Sequence, residues 1–93
     1  MKVSEIQVTD IVEYLRLDEY EESHITPLLT SAKHFIRSYT GLTDTEIDQH
    51  EDFYTVVMVL CQDMYDNRVL YPDRNNLNKV VDTILGMHRN NLL

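Results

Sequence analysis

The chain has 93 residues, enough for one small domain, and 43% of them are hydrophobic against 26% charged, as in folded proteins. Two glycines and two prolines are too few for a hairpin-rich fold and favour long helices. The net charge of −8 argues against a protein that reads nucleic-acid phosphate, and the longest apolar run, Val56–Cys61, is too short to span a membrane. We therefore expect one helical domain over residues 1–93, without membrane contact.

The negative charge lies in the first half of the chain. Residues 1–52 contain twelve acids and four bases, whereas residues 53–93 contain four of each, so the two net charges are −8 and zero. The densest cluster, called here the acidic segment, consists of Asp18, Glu19, Glu21 and Glu22. Such a run is usually a solvated helix start, although it can also imitate the phosphates of DNA. The unequal halves predict different surroundings for the two ends of the protein.

Two amphipathic helices are predicted in the first half. The first begins at Thr9, a good N-cap, and ends near Leu17. The second begins after the N-cap Ser23 and ends before Gly41, because apolar residues recur over this range with the 3.6-residue period of one helix face. With this start Pro27 is the fourth helical residue, so it interrupts no hydrogen bond within the helix.

A short helical turn is predicted between the second and third main helices. Residues 42–51 are a polar connection in which Thr43 and Glu46 have the spacing of a capping box. In this pattern each of the two side chains accepts a hydrogen bond from the backbone of the other residue. We therefore expect one turn of helix near residues 43–49.

Two more main helices are predicted in the second half. The third covers residues 52–70 and is apolar on all sides in its middle, which is typical of a helix at the centre of a bundle. The fourth covers residues 77–88, with Asn76 as its N-cap and one apolar stripe. The predicted fold class is therefore all-α, a small bundle of four main helices.

Candidate catalytic and metal-binding groups are few. Cys61 cannot form an internal disulfide, because it is the only cysteine, and its apolar neighbours predict an inert buried thiol in a protein made in a reducing cytoplasm. His50 and Glu51 begin like the zinc-protease pattern HExxH, but Tyr54 stands where the second histidine should be. Asp63 and Asp66 share a helix face and are interpreted as a solvated face or as partners of Arg68 and of neighbouring chains.

The four histidines are spread along the chain, with no pair spaced to share one helix turn: His24, His34, His50 and His88. We interpret each as an exposed polar residue of a helix. We therefore expect no catalytic residues, no metal ion and no cofactor, and a protein that is not an enzyme.

Three segments resemble, in order, the motifs of a known family. Ile11–Asp18 reads IVEYLRLD, Ala32–Gly41 reads AKHFIRSYTG and Met64–Arg68 reads MYDNR. Over about residues 8–89 the chain is similar to the head–tail connector (adaptor) proteins of tailed bacteriophages, also described as DNA-packaging proteins. That family has a YLR(I/L)D start, an A..YI..YTG helix end and an (L/M)YENR helix end, so Asp66 stands where glutamate is commoner.

The resemblance implies a structural assembly protein. Each chain would be one subunit of a homo-oligomeric ring that docks below the phage portal protein after genome packaging and extends the DNA channel. The ring would link head to tail by offering a platform to the head-completion or tail-joining protein, and DNA would only pass through it. The implied location is the head–tail junction of the virion, after synthesis in the cytoplasm of the bacterial host.

Two sets of residues are assigned to surfaces on this basis. The neutral charge of the second half and its apolar end predict subunit or portal contacts from Arg68, Arg74, Lys79, Arg89, Leu92 and Leu93. An acidic channel or solvent face is expected from Asp18, Glu19, Glu21 and Glu22, because acids near the channel repel DNA and let it slide.

An acidic inhibitor that binds a protein, or a DNA mimic, is the main alternative. A mimic usually carries acids along most of its length, whereas residues 53–93 have no net charge. An enzyme of unknown type is a weaker alternative, and a transcription regulator is disfavoured because no basic recognition helix is present in the sequence.

Overall fold

The computed structural model of the protein describes residues 2–72 and 77–88, and these residues form helices and turns without a strand. A 3-10 turn at Val3–Glu5 precedes five α-helices: α1 Val8–Leu15, α2 Glu22–Thr40, α3 Asp44–Asp48, α4 Asp52–Asn67 and α5 Lys79–His88. The predicted all-α fold of four main helices with an extra short helix is confirmed. No helix of the described residues is long and apolar enough to cross a membrane.

The α4 helix lies at the centre of the bundle, as its apolar middle predicts. It packs against α1, α2, α5 and the 3-10 turn, so neighbours cover more than one of its faces. Its buried residues are Phe53, Val56, Val57, Met58, Leu60, Cys61 and Met64. Helix α2 also contacts α1 and α5, so α2 and α4 together hold the bundle.

Helices α4 and α5 form an antiparallel hairpin. At one end, Asn67 of α4 and Asn78, just before α5, line the same cavity. At the other end, His88 of α5 contacts Asp52 of α4, with 2.8 Å between His88 Nε2 and Asp52 Oδ2. The last residue of the hairpin thus lies beside its first.

The first helix begins two residues earlier than its predicted N-cap Thr9 implies. Thr9 lies inside α1, and Gln7 precedes its first residue; the backbone N–H of Gln7 donates to Asp10 Oδ2 at 2.8 Å. An acid in the first turn is well placed to accept this bond and to interact with the helix dipole. The helix ends at Leu15 because Arg16 adopts a left-handed conformation, with φ 57° and ψ 46°.

The start predicted for α2 is also wrong. The helix begins at Glu22, so Ser23 is not its N-cap and Pro27 is the sixth helical residue instead of the fourth. A proline at this depth has no N–H for the carbonyl of Ser23, so one hydrogen bond of the helix is missing. The predicted end is confirmed, because Gly41 follows with φ 74° and donates its N–H to Arg37 O at 2.9 Å.

The short helix α3 has the predicted capping box. Thr43 N donates to Glu46 Oε1 at 3.0 Å, and Glu46 N donates to Thr43 Oγ1 at 3.2 Å. The 3-10 turn, which was not predicted, lies against α3: Ser4 N donates to Asp48 Oδ1 at 3.0 Å. Hydrogen bonding from Ser4, by its side chain first and then by its backbone N–H, lowers the pKa of Asp48.

Both helices of the hairpin are shorter than predicted. The α4 helix ends at Asn67, three residues before the predicted end, because Arg68 turns into the left-handed region with φ 55° and ψ 43°. The α5 helix begins at Lys79, and the side chain of Asn78 accepts the N–H of Val80 at 2.8 Å. Asn78 therefore caps α5, and the predicted cap Asn76 lies outside the described residues.

We expect the truncation Leu85→Ala to lower the free energy of unfolding by about 2–5 kcal/mol, because Leu85 is fully buried where α5 packs on the bundle. Met87, on the same helix, is 68% exposed. The variant Met87→Ala should therefore change the free energy of unfolding by no more than about 0.5 kcal/mol. Urea unfolding followed by circular dichroism measures both variants. If Leu85→Ala and Met87→Ala changed the free energy of unfolding equally, the result would contradict the packing of α5 on the bundle.

Candidate functional site

The segment that follows α4 carries a basic and apolar surface. It covers residues 68–72 and is called here the connecting segment. Its residues Leu70 and Tyr71 are 58% and 68% exposed, and Tyr65 in the last turns of α4 is 42% exposed. Arg68, also exposed, stands at the start of the segment. Such large apolar side chains in water are typical of a site that binds another protein.

Two grooves flank the connecting segment on one side of α2. The larger, about 720 Å³, lies between the start of α2 and the end of α4, and Arg68 lines it. The smaller, about 390 Å³, lies farther along α2 and is lined by Phe35 and Tyr71 among others. Leu70 lines both grooves, so the connecting segment separates them. A partner that covers Leu70 can therefore reach both.

The left-handed conformation of Arg68 ends α4 by a Schellman motif. Arg68 N donates to Tyr65 O at 3.3 Å, and Val69 N donates to Met64 O at 3.1 Å. Arg16 ends α1 in the same way; the next residue, Leu17, donates to the carbonyl of the residue five before it at 3.2 Å. Glycine is the usual residue here, because a side chain in this conformation costs about 1–2 kcal/mol.

These two arginines share a further property. They are the only described non-glycine residues with positive φ. Arg16 lies in the first motif, YLRLD, and Arg68 closes the third, MYDNR. The sequence motifs therefore mark two helix ends at which arginine stands in place of glycine.

The predicted contact residues are only partly described. Arg68 and Lys79 are exposed, and both lie at the same end of the α4–α5 hairpin. Their chain neighbours Val69 and Asn78 line one cavity of about 510 Å³. The other four predicted contact residues lie outside the described residues: Arg74, Arg89, Leu92 and Leu93.

The acidic segment leads directly into the larger groove. Its four acids are all exposed: Asp18, Glu19, Glu21 and Glu22. Glu21 lies 3.8 Å from His24, measured from Oε2 to Nε2, and His24 lines the groove. The predicted acidic face and the predicted contact surface are therefore neighbours.

The paired carboxylates of α4 have local partners. Gln62 Nε2 donates to both carboxylate oxygens of Asp66 at 3.0 Å. Partial burial and the nearby charge of Asp66 raise the pKa of Asp63. An ion pair of either acid with Arg68, as predicted, is not found among the described residues, where Asp66 bonds to an amide instead.

Three residues that the sequence alone did not connect lie together at the end of the α4–α5 hairpin where Asp52 contacts His88. One ligand-type atom of each of His50, Asp52 and His88 lies within 4.8 Å of the others. The rings of His50 and His88 are 4.2 Å apart between centroids, and the ring of the buried Phe53 lies 4.9 Å from that of His88. The interpretation of His50 and His88 as exposed residues is therefore wrong, whereas His24 and His34 are exposed as expected.

The convergence follows from where each residue stands in the fold. His50 lies in the turn after α3, and Asp52 is the first residue of α4. His88 is the last residue of α5, which runs back along α4. The histidine that lies beside His50 is thus His88 of another helix, and only the pairing of α4 with α5 could have pointed to it.

Comparisons with protein-family models, with curated proteins and with solved structures give no match. The resemblance to phage connectors therefore depends on the three sequence motifs alone.

We expect the thiol of Cys61 to be inert in the folded protein, because burial raises its pKa to about 12. At about pH 8 a water-soluble disulfide reagent should label it only after denaturation. An unfolded thiol has a pKa of about 8.5, so unfolding releases a proton above that pH. The free energy of unfolding should then fall by about 1.4 kcal/mol per pH unit up to the folded pKa.

The variant Cys61→Ala isolates this contribution, because other groups that titrate at high pH are common to both proteins. The difference in unfolding free energy between wild type and variant should change with pH only above about pH 8.5. Rapid labelling of the native protein would show that the α4 core opens easily.

Proposed function

We propose that this chain is a structural assembly protein, a subunit of the head–tail connector ring of a tailed bacteriophage. The observation that carries the proposal is the surface at the end of α4, where Arg68 stands beside the exposed Leu70 and Tyr71. This surface begins at the last residue of the third motif that resembles the connector family. Its apolar side chains are typical of a contact with another protein.

The backbone of Arg68 supports a functional role for its side chain. Glycine would end α4 at lower conformational cost, so stability alone does not favour arginine at this position. Strain of this kind is commonly found at functional sites, where another role of the residue outweighs its cost. The exposed guanidinium, with its fork of donors, suits a carboxylate of a partner protein.

The partner proposed for the connecting segment is a second copy of this chain. In a closed ring each subunit offers one surface to its neighbour and receives a different one, so an exposed apolar surface is covered in the assembly. The acidic segment would face the channel or the solvent beside this contact. There its exposed carboxylates would repel DNA and let the genome pass.

Further partners follow from the same proposal. The portal protein would be contacted by the basic and apolar end of the chain, namely Lys79 with Arg74, Arg89, Leu92 and Leu93. A head-completion or tail-joining protein would bind the opposite face of the ring. The protein would be made in the cytoplasm of the bacterial host and would act at the head–tail junction, as a structural subunit without enzymatic activity.

A second candidate is an acidic inhibitor or DNA mimic. The exposure of all four acids of the acidic segment favours it. A mimic must match the spacing of DNA phosphates over a long face, whereas residues 53–93 here have no net charge. This candidate is the outcome to expect if assembly fails.

Light scattering over a wide concentration range and negative-stain images should reveal closed rings, formed by the protein alone or on a purified portal ring. The variant Leu70→Ser should weaken assembly at least about tenfold, because it removes an apolar contact at the centre of the surface. Tyr14→Ser is the matched control, since Tyr14 is an exposed aromatic residue of α1 that lines neither groove. Normal assembly of Leu70→Ser would contradict the proposed contact.

The variant Arg68→Gly separates assembly from folding. It should raise the free energy of unfolding by about 1 kcal/mol, because glycine adopts the left-handed conformation without steric cost, and it should weaken ring formation. If Arg68→Gly were more stable and assembled as well as wild type, the result would contradict the proposed role of the Arg68 side chain in ring formation. A wild-type protein that neither assembles nor binds the portal, and that displaces DNA from a DNA-binding protein, would identify the acidic inhibitor instead.

A further inference from the structure

His50, Asp52 and His88 form a cluster with the donor set of a metal site. The ligand-type atoms of the three side chains lie within 4.8 Å of one another, and they come from three different places in the chain. None of the three is fully exposed: all are partly buried, beside the fully buried ring of Phe53. The cluster lies at the end of the α4–α5 hairpin that is opposite to the connecting segment.

One oxygen of the cluster lacks a hydrogen bond. Asp52 Oδ2 lies 2.8 Å from His88 Nε2, but Asp52 Oδ1 is buried and has no hydrogen-bond partner among the described residues. It is the only buried side-chain oxygen or nitrogen in residues 2–72 and 77–88 with this property. A buried carboxylate oxygen without a donor is costly, and a bound cation is one way to satisfy it.

We propose that His50, Asp52 and His88 bind a divalent transition-metal ion, and that this ion is Zn²⁺. Imidazole nitrogen is a preferred ligand of zinc, and two histidines with one carboxylate are an established type of zinc donor set. Calcium and magnesium are disfavoured, because they require mostly oxygen ligands. Three protein ligands leave one tetrahedral position, which a water molecule fills.

The geometry requires only a small adjustment. Zinc–nitrogen and zinc–oxygen bonds of about 2.0–2.2 Å place tetrahedral ligand atoms about 3.3–3.5 Å apart. The ligand-type atoms lie within 4.8 Å of one another, and His88 Nε2 is 2.8 Å from Asp52 Oδ2. Side-chain rotations must therefore bring the widest pair up to about 1.5 Å closer and move the His88–Asp52 pair about 0.5 Å apart. His88 Nε2 can bind the ion when the neutral ring carries its proton on Nδ1, and the Asp52 carboxylate then faces zinc in place of an N–H.

The proposed ion would join the end of α5 to the corner between α3 and α4. Asp52 and His88 are 36 residues apart in sequence, so the ion closes a long loop of the chain. A domain of this size has a thin core, and small domains often gain stability from a structural metal. We propose that the ion stabilises the fold at this corner, a role that goes beyond the proposed function, which requires no metal.

The test uses tag-free protein treated with a chelator, so that no added histidines bind metal. Equilibrium dialysis with Zn²⁺ and elemental analysis should give one ion per chain. Zinc at about 100 times the dissociation constant should raise Tm by at least about 5 °C. Cobalt(II), used as a spectroscopic probe, should give the visible absorption bands of a site with fewer than six ligands.

Single variants identify the ligands. His50→Ala, Asp52→Asn and His88→Gln should each weaken zinc binding more than about 100-fold, because the loss of a ligand exceeds the effect of an outer-sphere partner. His24→Ala and His34→Ala are the matched controls and should bind as wild type, since both histidines are exposed and lie outside the cluster. Circular dichroism of each zinc-free variant verifies that the helices are intact.

Wild-type protein that binds no zinc, or that binds it equally well when His50 and His88 are replaced together, would overturn the proposal. The cluster would then be a hydrogen-bonded pair of Asp52 and His88 stacked on a second ring. Neither outcome affects the proposed function. Ring formation is measured in a separate experiment, and the contact proposed for it lies at the opposite end of the α4–α5 hairpin.

Discussion

The burial of α4 on more than one face is the constraint on which the rest of the structure depends. A helix with apolar residues around its whole middle exposes too much surface unless several neighbours cover it. In this chain α1, α2, α5 and the N-terminal 3-10 turn share that task. Helix α1 also packs against α2, and the 3-10 turn also packs against α3, so these elements gain stability from one another as well as from α4. The bundle is therefore built around α4, with α2 as the second helix that holds it together.

The position of α4 also separates the two surfaces of interest. Its C-terminal end opens into the connecting segment, where Leu70 and Tyr71 are exposed between two grooves. Its N-terminal end meets the last turn of α5, where His88 and Asp52 are in contact. The 16 residues of α4 correspond to about 24 Å of helix, so a change at one end need not alter the other. The proposed assembly contact and the proposed metal site can thus be tested independently.

Periodicity and chain breakers predicted the helices well because these signals are local. The end of α2 at Gly41 and the capping box of α3 follow from a few adjacent residues. The end of α4 was placed three residues late, because arginine gives no sign in the sequence that it will adopt the glycine-like conformation of Arg68. The error at Ser23 has a similar origin, since a good N-cap residue can also lie inside a helix. Helix ends without glycine or proline are therefore the hardest to locate.

The histidine cluster could not be found from spacing along the chain. His50 and His88 are separated by nearly all of α4 and α5, and neither has a second histidine one helix turn away. They meet because two consecutive helices pack antiparallel, which places the first residue of one beside the last residue of the other. The exposure of Leu70 was equally hidden, because an apolar residue next to a helix end is as compatible with the core as with the surface.

The N-terminal 3-10 turn has a consequence for the order in which the molecule forms. Its hydrogen bond from Ser4 to Asp48 joins residues that are 44 positions apart, and its apolar side chains Val3 and Ile6 are buried. Contacts between residues so distant in sequence carry a larger loop-closure entropy than those within a helical hairpin. We therefore expect the turn to dock after α3 and α4 have formed. By the same reasoning, its backbone amides should exchange with solvent through a local opening that leaves the central helix intact.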